Sequence, residues 1–258
     1  DELQRLQKQY NFFQCAGNLK GASASPSIFG LPVSVKDNIC TKGMQSSAGS
    51  RILDGYIPSF DATCVARVKS ESGLVIGKTN QDEFGFGTFS VNSAYGIPKN
   101  PLDITRTCGG SSGGAAGLTA ALQMPHIALA ESTGGSISCP AAFCNVVGLT
   151  PTYGLVSRYG LIAMASSLDQ IGPLAKNAED AEIVFEAIFG KDELDATSLD
   201  YEYKSLSNLD FAKLRIGMPK EFFGEGLLPE VHNKIYDSIR TLQGLGCEVI
   251  DISLPHSD

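Results

Sequence analysis

Near its C-terminal end the chain reads "LRIGMP" (214–219), then "LPEVHNKIYDSIRTLQGLG" (228–246), then "CEVIDISL" (247–254). The middle stretch has Pro229 near its first turn and puts Val231, Ile235, Ile239 and Leu242 on one face, which is the pattern of an amphipathic helix. The flanking runs are short and apolar, as strands are. Strand, helix, strand at this spacing implies a βαβ crossover and parallel pairing, because a tight hairpin cannot join parallel neighbours. That unit makes the chain α/β.

The same vocabulary extends upstream. "LPVSVKDNI" (31–39) is a β-branched strand broken by one charge, and "GLVIGKTN" (73–80) is a short buried strand running into a loop. "DATCVARVKSES" (61–72) has helical spacing, and "NAEDAEIVFEAIFG" (177–190) has an Asn cap, early acids and a Gly stop. "AAGLTAALQ" (115–123) reads as a buried helix of small residues, followed by a strand at "HIALA" (126–130). The first residues, "DELQRLQKQYNFFQ", read as the tail of a helix, and "GNLKGASASPSIFG" (17–30) as a surface loop. No internal repeat and no linker is apparent, so a single domain over 1–258 is expected.

A formal net charge of −8 argues against this chain alone being an electrostatic platform for nucleic acid. No apolar run approaches a membrane span, and no signal-peptide pattern opens the sequence. Seven cysteines are scattered singly without a CxxC pair, which fits a reducing, intracellular compartment. There are three histidines, and His126 and His232 sit in apolar and helical patterns typical of structural residues. A hydrolase built on this chain has little histidine to use as a base.

Two glycine–serine clusters remain: "CGGSSGGAAG" (108–117) and "STGGSIS" (132–138). A phosphate-binding P-loop needs a lysine after the glycines, and a dinucleotide fingerprint needs GxGxxG; neither register is present. A flexible linker does not need apolar segments packed so closely on both sides. A nucleophilic serine fits better, because "TGGS" offers consecutive backbone N–H groups from Thr133 to Ser136 beside residues without side chains, where a substrate carbonyl can approach. The base would be a lysine kept neutral by burial. Lys36, a charge inside a β-branched run, is the candidate; read locally it is equally a surface lysine or the partner of Asp37.

"PVSVKDNI", "GGSSGG" and "STGGSISCPAAFCNVVGLTPTYG", in this order, resemble the amidase signature family. The likeness continues through "TNQDEFGFGTFSVNSAYGIPKNP", "VSRYGLIAMASSLDQIGPLA" and "PKEFFGEG", and is similar in detail to the glutaminase (A) subunits of tRNA-dependent amidotransferases. The resemblance implies a central mixed β-sheet covered by helices on both faces, incomplete at its C-terminal end. It implies a Ser–cis-Ser–Lys triad of Ser136 as nucleophile, Ser111 as the bridging cis-serine after a cis Gly110–Ser111 bond, and Lys36 as base. Ser112, Thr133, Gly134 and Gly135 would support the serines and the oxyanion. The implied reaction is hydrolysis of glutamine to supply ammonia for amidating Glu-tRNA(Gln) or Asp-tRNA(Asn). Its implied partners are the B and C subunits, the mischarged tRNA being met mainly through B. No cofactor is expected in this chain, ATP and Mg²⁺ being used by the B subunit, and no metal or membrane; the implied compartment is the cytoplasm or an organelle matrix.

The sequence departs from the family pattern in places. The family reads "DTGGSIR", so Ser132 stands for an aspartate and Ser138 for an arginine, with Glu131 one position from the missing carboxylate. The interval from Ser111 to Ser136 is one residue longer than usual. The groups that grip the α-carboxylate and α-ammonium of glutamine are expected beyond Asp258. Two other readings stay open: a stand-alone amidase acting on small amides, and a truncated, non-catalytic interaction module.

Overall fold

The computed structural model describes residues 2–16, 30–202 and 209–257. The expected loop at 17–30 lies almost wholly outside the described residues. By its internal contacts the chain divides into two compact units, Asp1–Tyr203 and Lys204–Asp258. Among the described residues no helix is long and apolar enough to cross a membrane.

The first unit opens with helix α1 (Glu2–Tyr10) and strand β1 (Phe13–Ala16). The sequence pattern carries the helix through to residue 14, but it stops at Tyr10. Asn11 takes a left-handed φ of 59° and its Nδ2 donates to Tyr95 O at 3.0 Å, while Gln7 bonds the backbone of Phe13 on both sides. Side-chain bonds to the main chain thus end the helix, and the next residues are taken up by a sheet edge.

Strand β2 (Pro32–Lys36), helix α2 (Thr63–Ser70) and strand β3 (Leu74–Thr79) form one crossover, with β2 and β3 parallel. Helix α3 (Gly113–Ala121) and strand β4 (Ile127–Ser132) follow, β4 lying parallel to β2 on its other side. Helix α4 (Ser138–Cys144), the two-residue strand β5 (Val147–Gly148) and strand β6 (Gln170–Ala175) come next, β6 antiparallel to β4. Helix α5 (Ala178–Ile188) begins at an Asn177 cap whose side chain accepts from Asp180 N. The sheet is mixed, in the order β1-β3-β2-β4-β6-β5.

Alternation along β4 shows the two faces. Ile127 and Leu129 pack with α2 and α5, whereas Ala128 and Ala130 pack with α1, α3 and α4. Helices therefore cover both sides, as an α/β fold with a buried sheet requires. In the second unit, β7 (Arg215–Pro219), α6 (Pro229–Gly244) and β8 (Glu248–Ile252) realise the βαβ spacing, with β7 and β8 parallel over five residue pairs.

Small residues let α3 lie against the chain. A Cβ on Gly114 would sit 2.5 Å from Phe12 O and 2.6 Å from Asn80 O, both rigid backbone atoms, and one on Gly117 would sit 2.4 Å from the Phe12 ring. Gly114→Ala should therefore cost about 1–3 kcal/mol by overpacking, read as a lowered urea midpoint at unchanged slope. A variant with the wild-type midpoint would show that α3 can move away from Asn80 freely.

Candidate active site

Lys36 is the last residue of β2, the strand held between β3 and β4, and it is 0% exposed. Its Nζ donates to Ser111 Oγ at 2.7 Å, to Glu131 O at 2.9 Å and to Glu131 Oε2 at 2.8 Å. It is neither a surface lysine nor the partner of Asp37. Asp37 faces the other buried lysine, Lys78, at 3.8 Å, and Lys78 also donates to Ser46 Oγ at 2.7 Å. Burial pulls Lys78 down to about 8 against the opposing pull of Asp37.

Burial alone thus does not describe Lys36, which forms a fully buried ion pair with Glu131. Desolvation works to raise the Glu131 carboxyl, but the charge and hydrogen bond of Lys36, with bonds from Thr133 and Asn38, hold it below the ordinary glutamate range. The sequence offered Glu131 only as a neighbour of an altered position. Its partnership with Lys36 comes from β2 and β4 being adjacent strands.

The first glycine–serine cluster leads into α3, with the Gly110–Ser111 peptide bond cis and Ser112 at the helix N-cap. Ser112 Oγ donates to Glu131 O at 3.1 Å, so Lys36 and Ser112 share one carbonyl. Behind it, Asp82 accepts from Ser90 N and Asn92 N, and Ser90 Oγ accepts from Gly113 N, which fixes the loop. A Cβ on Gly110 would fall 2.4 Å from Asp82 Oδ2, so glycine is required for this approach.

The second cluster follows β4 and carries Ser136 into α4. Ser136 lines a cleft of about 210 Å³ with Gly85, Gly110, Gly134, Cys139 and Met164. None of the residues lining that cleft is charged. Gly134 has nothing within 4 Å of an added Cβ and faces open space. Gly135 N–H, one of the expected oxyanion donors, is committed to Ser132 Oγ at 3.1 Å. Ser132 thus closes the turn from the position where the family pattern has an aspartate. Thr133 points its hydroxyl at carboxylates, at 2.8 Å from Glu131 Oε1 and 2.7 Å from Asp169 Oδ1. Ser138 Oγ donates to Gly135 O at 3.3 Å.

The structure therefore joins Lys36, Ser111, Ser112 and Glu131 directly, and sets Ser136 across the same cleft wall as Gly110. Among the described residues no hydrogen bond links Ser111 Oγ with Ser136 Oγ.

A model of the amidase family matches residues 13–258, almost the whole chain. The chain belongs to the amidase family. Among curated amidase relatives, the second glutamyl-tRNA(Gln) amidotransferase A subunit of Clostridium acetobutylicum is 52% identical over 230 residues, covering 88% of this chain and 48% of that protein. The corresponding A subunit of Chromohalobacter salexigens is 43% identical over 272 residues, covering 100% of this chain and 56% of that protein. The crystal structure of the Thermotoga maritima glutamyl-tRNA(Gln) amidotransferase A subunit superposes with a TM-score of 0.92 at 40% identity, over 99% of this chain and 57% of that one. A native peptide amidase from Stenotrophomonas maltophilia superposes less fully, at 0.76 and 35% identity over 88% of this chain and 48% of that one. This amidase chain spans about half the length of the curated relatives it matches.

Proposed function

We propose that this chain is the serine-amidase part of a glutamine-hydrolysing subunit of a tRNA-dependent amidotransferase. The observation that carries the reading is the 2.7 Å bond from buried Lys36 to Ser111, the residue after Gly110, which lines the same cleft as Ser136. In this reading Ser136 Oγ attacks the amide carbon, and its proton passes through Ser111 to Lys36. The Gly134 and Ser136 N–H groups receive the oxyanion, Gly135 being held by Ser132. The proton returns to the leaving nitrogen, ammonia departs, and water releases the acyl group by the reverse relay. The B and C subunits would be the partners; B would activate the mischarged tRNA with ATP and Mg²⁺ and use the ammonia.

A second reading is favoured by the uncharged lining of the cleft. Holding glutamine by its α-carboxylate and α-ammonium needs a cation and an anion in the pocket, and recognition of a polar substrate fails where its partners are absent. The chain by itself should therefore hydrolyse small neutral amides at least as well as glutamine. The measurement is ammonia release from glutamine and from a small aliphatic amide, by the 258-residue chain and by the protein at its natural length with its partner subunits. Glutamine turnover by the 258-residue chain at the full assembly's rate would overturn the placement of glutamine recognition outside it.

A further inference from the structure

The hydrogen bonds behind Lys36 are one hydrogen short. Thr133 Oγ1 lies 2.8 Å from Glu131 Oε1 and 2.7 Å from Asp169 Oδ1. A threonine hydroxyl has one hydrogen to give, and an ionised carboxylate has none. Thr133 can therefore donate to one carboxyl oxygen only. The other contact either carries a proton on the carboxyl side or sets two bare oxygens against each other. Glu131 and Asp169 are both 0% exposed, so water does not relieve such a repulsion.

We propose that Glu131 and Asp169 share one proton across Thr133 Oγ1, and that its position sets the charge facing Lys36. The inference rests on the amidase reading for the role of Lys36. Two arrangements satisfy every contact. In the first, Asp169 holds the proton and donates to Thr133, Thr133 donates to Glu131, and the Glu131 carboxylate faces Lys36 Nζ at 2.8 Å. In the second, Glu131 holds the proton on Oε1, Thr133 donates to Asp169, and the negative charge lies on Asp169. There the N–H of Met164 at 3.0 Å and of Ala165 at 3.1 Å receive it.

Passing between the two breaks an O–H bond at one carboxyl and at Thr133 and makes one at Thr133 and at the other carboxyl. No atom leaves the chain. The second arrangement suits Lys36 as a base, because no carboxylate then lies beside the amine. When the Ser136 proton reaches Lys36 through Ser111, a shift to the first arrangement puts a carboxylate against the new ammonium. The cluster gains that single proton and passes from one net negative charge to neutral. Glu131 acts through Lys36, and so is a positioning residue rather than a group that touches substrate.

The surroundings leave the chain intact. Asn38 Nδ2 donates to Glu131 Oε2 at 3.1 Å in either arrangement, and Gly85 and Met164 contribute no charge. The other buried charges have their own partners: Lys78 has Asp37 and Ser46, Asp82 has the N–H groups of Ser90 and Asn92, and Asp195 has Arg158. None of these bonds to Glu131, Thr133 or Asp169 among the described residues.

The test reads the nucleophile directly, by the rate at which a small fluorophosphonate labels Ser136 in the protein at its natural length, from acid to alkaline pH. Glu131→Gln removes the anion beside Lys36 and should move the rising limb to lower pH by about one unit or more, with a lower plateau. Asp169→Asn and Thr133→Val fix the charge on Glu131 and should move the limb to higher pH. Thr133→Ser restores the hydroxyl and should return the limb to its wild-type position, and this pair decides the matter if Asp169→Asn does not fold. Limbs that coincide with the wild type, or that all move the same way, would overturn the shared proton while leaving the amidase reading in place. Failure of the wild type to label at any pH would overturn the amidase reading and this proposal with it.

Discussion

Ser136→Ala should lower amide hydrolysis by about 10²–10⁴-fold or more while leaving the unfolding midpoint unchanged. The side chain lines the cleft and makes no hydrogen bond among the described residues, so its loss strands no buried partner. Lys36 is a different kind of position. Deleting it leaves the Glu131 carboxylate buried and unpaired, which costs about 3–5 kcal/mol in typical cases, so Lys36→Ala confounds chemistry with folding. Lys36→Arg keeps a cation but cannot shed its proton to serve as base, and it should be inactive too. Ser111→Ala breaks the 2.7 Å bond from Lys36 and should resemble Ser136→Ala in rate. Rates are to be measured as initial ammonia release at saturating amide, alongside a urea titration of each variant. Substantial activity in Ser136→Ala, at wild-type stability, would remove the nucleophile from the proposal.

Much of the architecture was legible because local pattern and tertiary role agree. The 214–254 spacing required a parallel crossover, and β7, α6 and β8 form one. Asn177 marked the start of α5 through a bond that depends only on nearby residues. Strand β6 was not legible, because "QIGPLA" contains Gly172 and Pro173, which argue against a strand that pairs on both sides. The structure accommodates them specifically. A Cβ on Gly172 would lie 2.0 Å from Leu149 O, and Pro173 contributes its carbonyl, which accepts from Leu149 N at 3.0 Å.

The site divided along the same line. The two glycine–serine clusters and Lys36 stood out as local anomalies, whereas the roles expected of Ser111 and Ser136 came from the family resemblance. Local reading could not choose a partner for Lys36: β2 is buried on both faces, so no alternation shows which way the side chain points. Glu131 and Asp169 meet through Thr133 only because β4 and β6 are antiparallel neighbours, with Glu131 opposite Ile171. Nothing in either segment alone announces that contact.

The largest stability effect of pH is expected from a residue that the sequence marked as structural. His126 is buried between α3 and β2, with Nδ1 3.1 Å from Thr119 Oγ1 and Nε2 3.0 Å from Ser34 Oγ. Thr119 already donates its hydrogen to Ala115 O at 2.9 Å, so Nδ1 must carry the ring hydrogen and Nε2 must accept from Ser34. The network is complete with a neutral ring. Burial, helped by the charge of Lys176, pushes the histidine down to about 3 from 6.5. In the unfolded chain the ring takes a proton below about pH 6.5, whereas in the folded protein it stays neutral down to about pH 3. The unfolded state therefore binds more protons in that window. The contribution is fully present above pH 6.5 and is lost progressively as pH falls, amounting to about 3 kcal/mol by pH 4. Other groups also titrate in acid, so the comparison is with His126→Gln, which removes this ionisation alone. Urea unfolding at neutral pH and at pH 4 should show the wild type losing about 3 kcal/mol more than the variant over that range. Equal losses in the two proteins would mean that His126 accepts a proton in the fold as readily as in water, and that the buried neutral assignment is wrong.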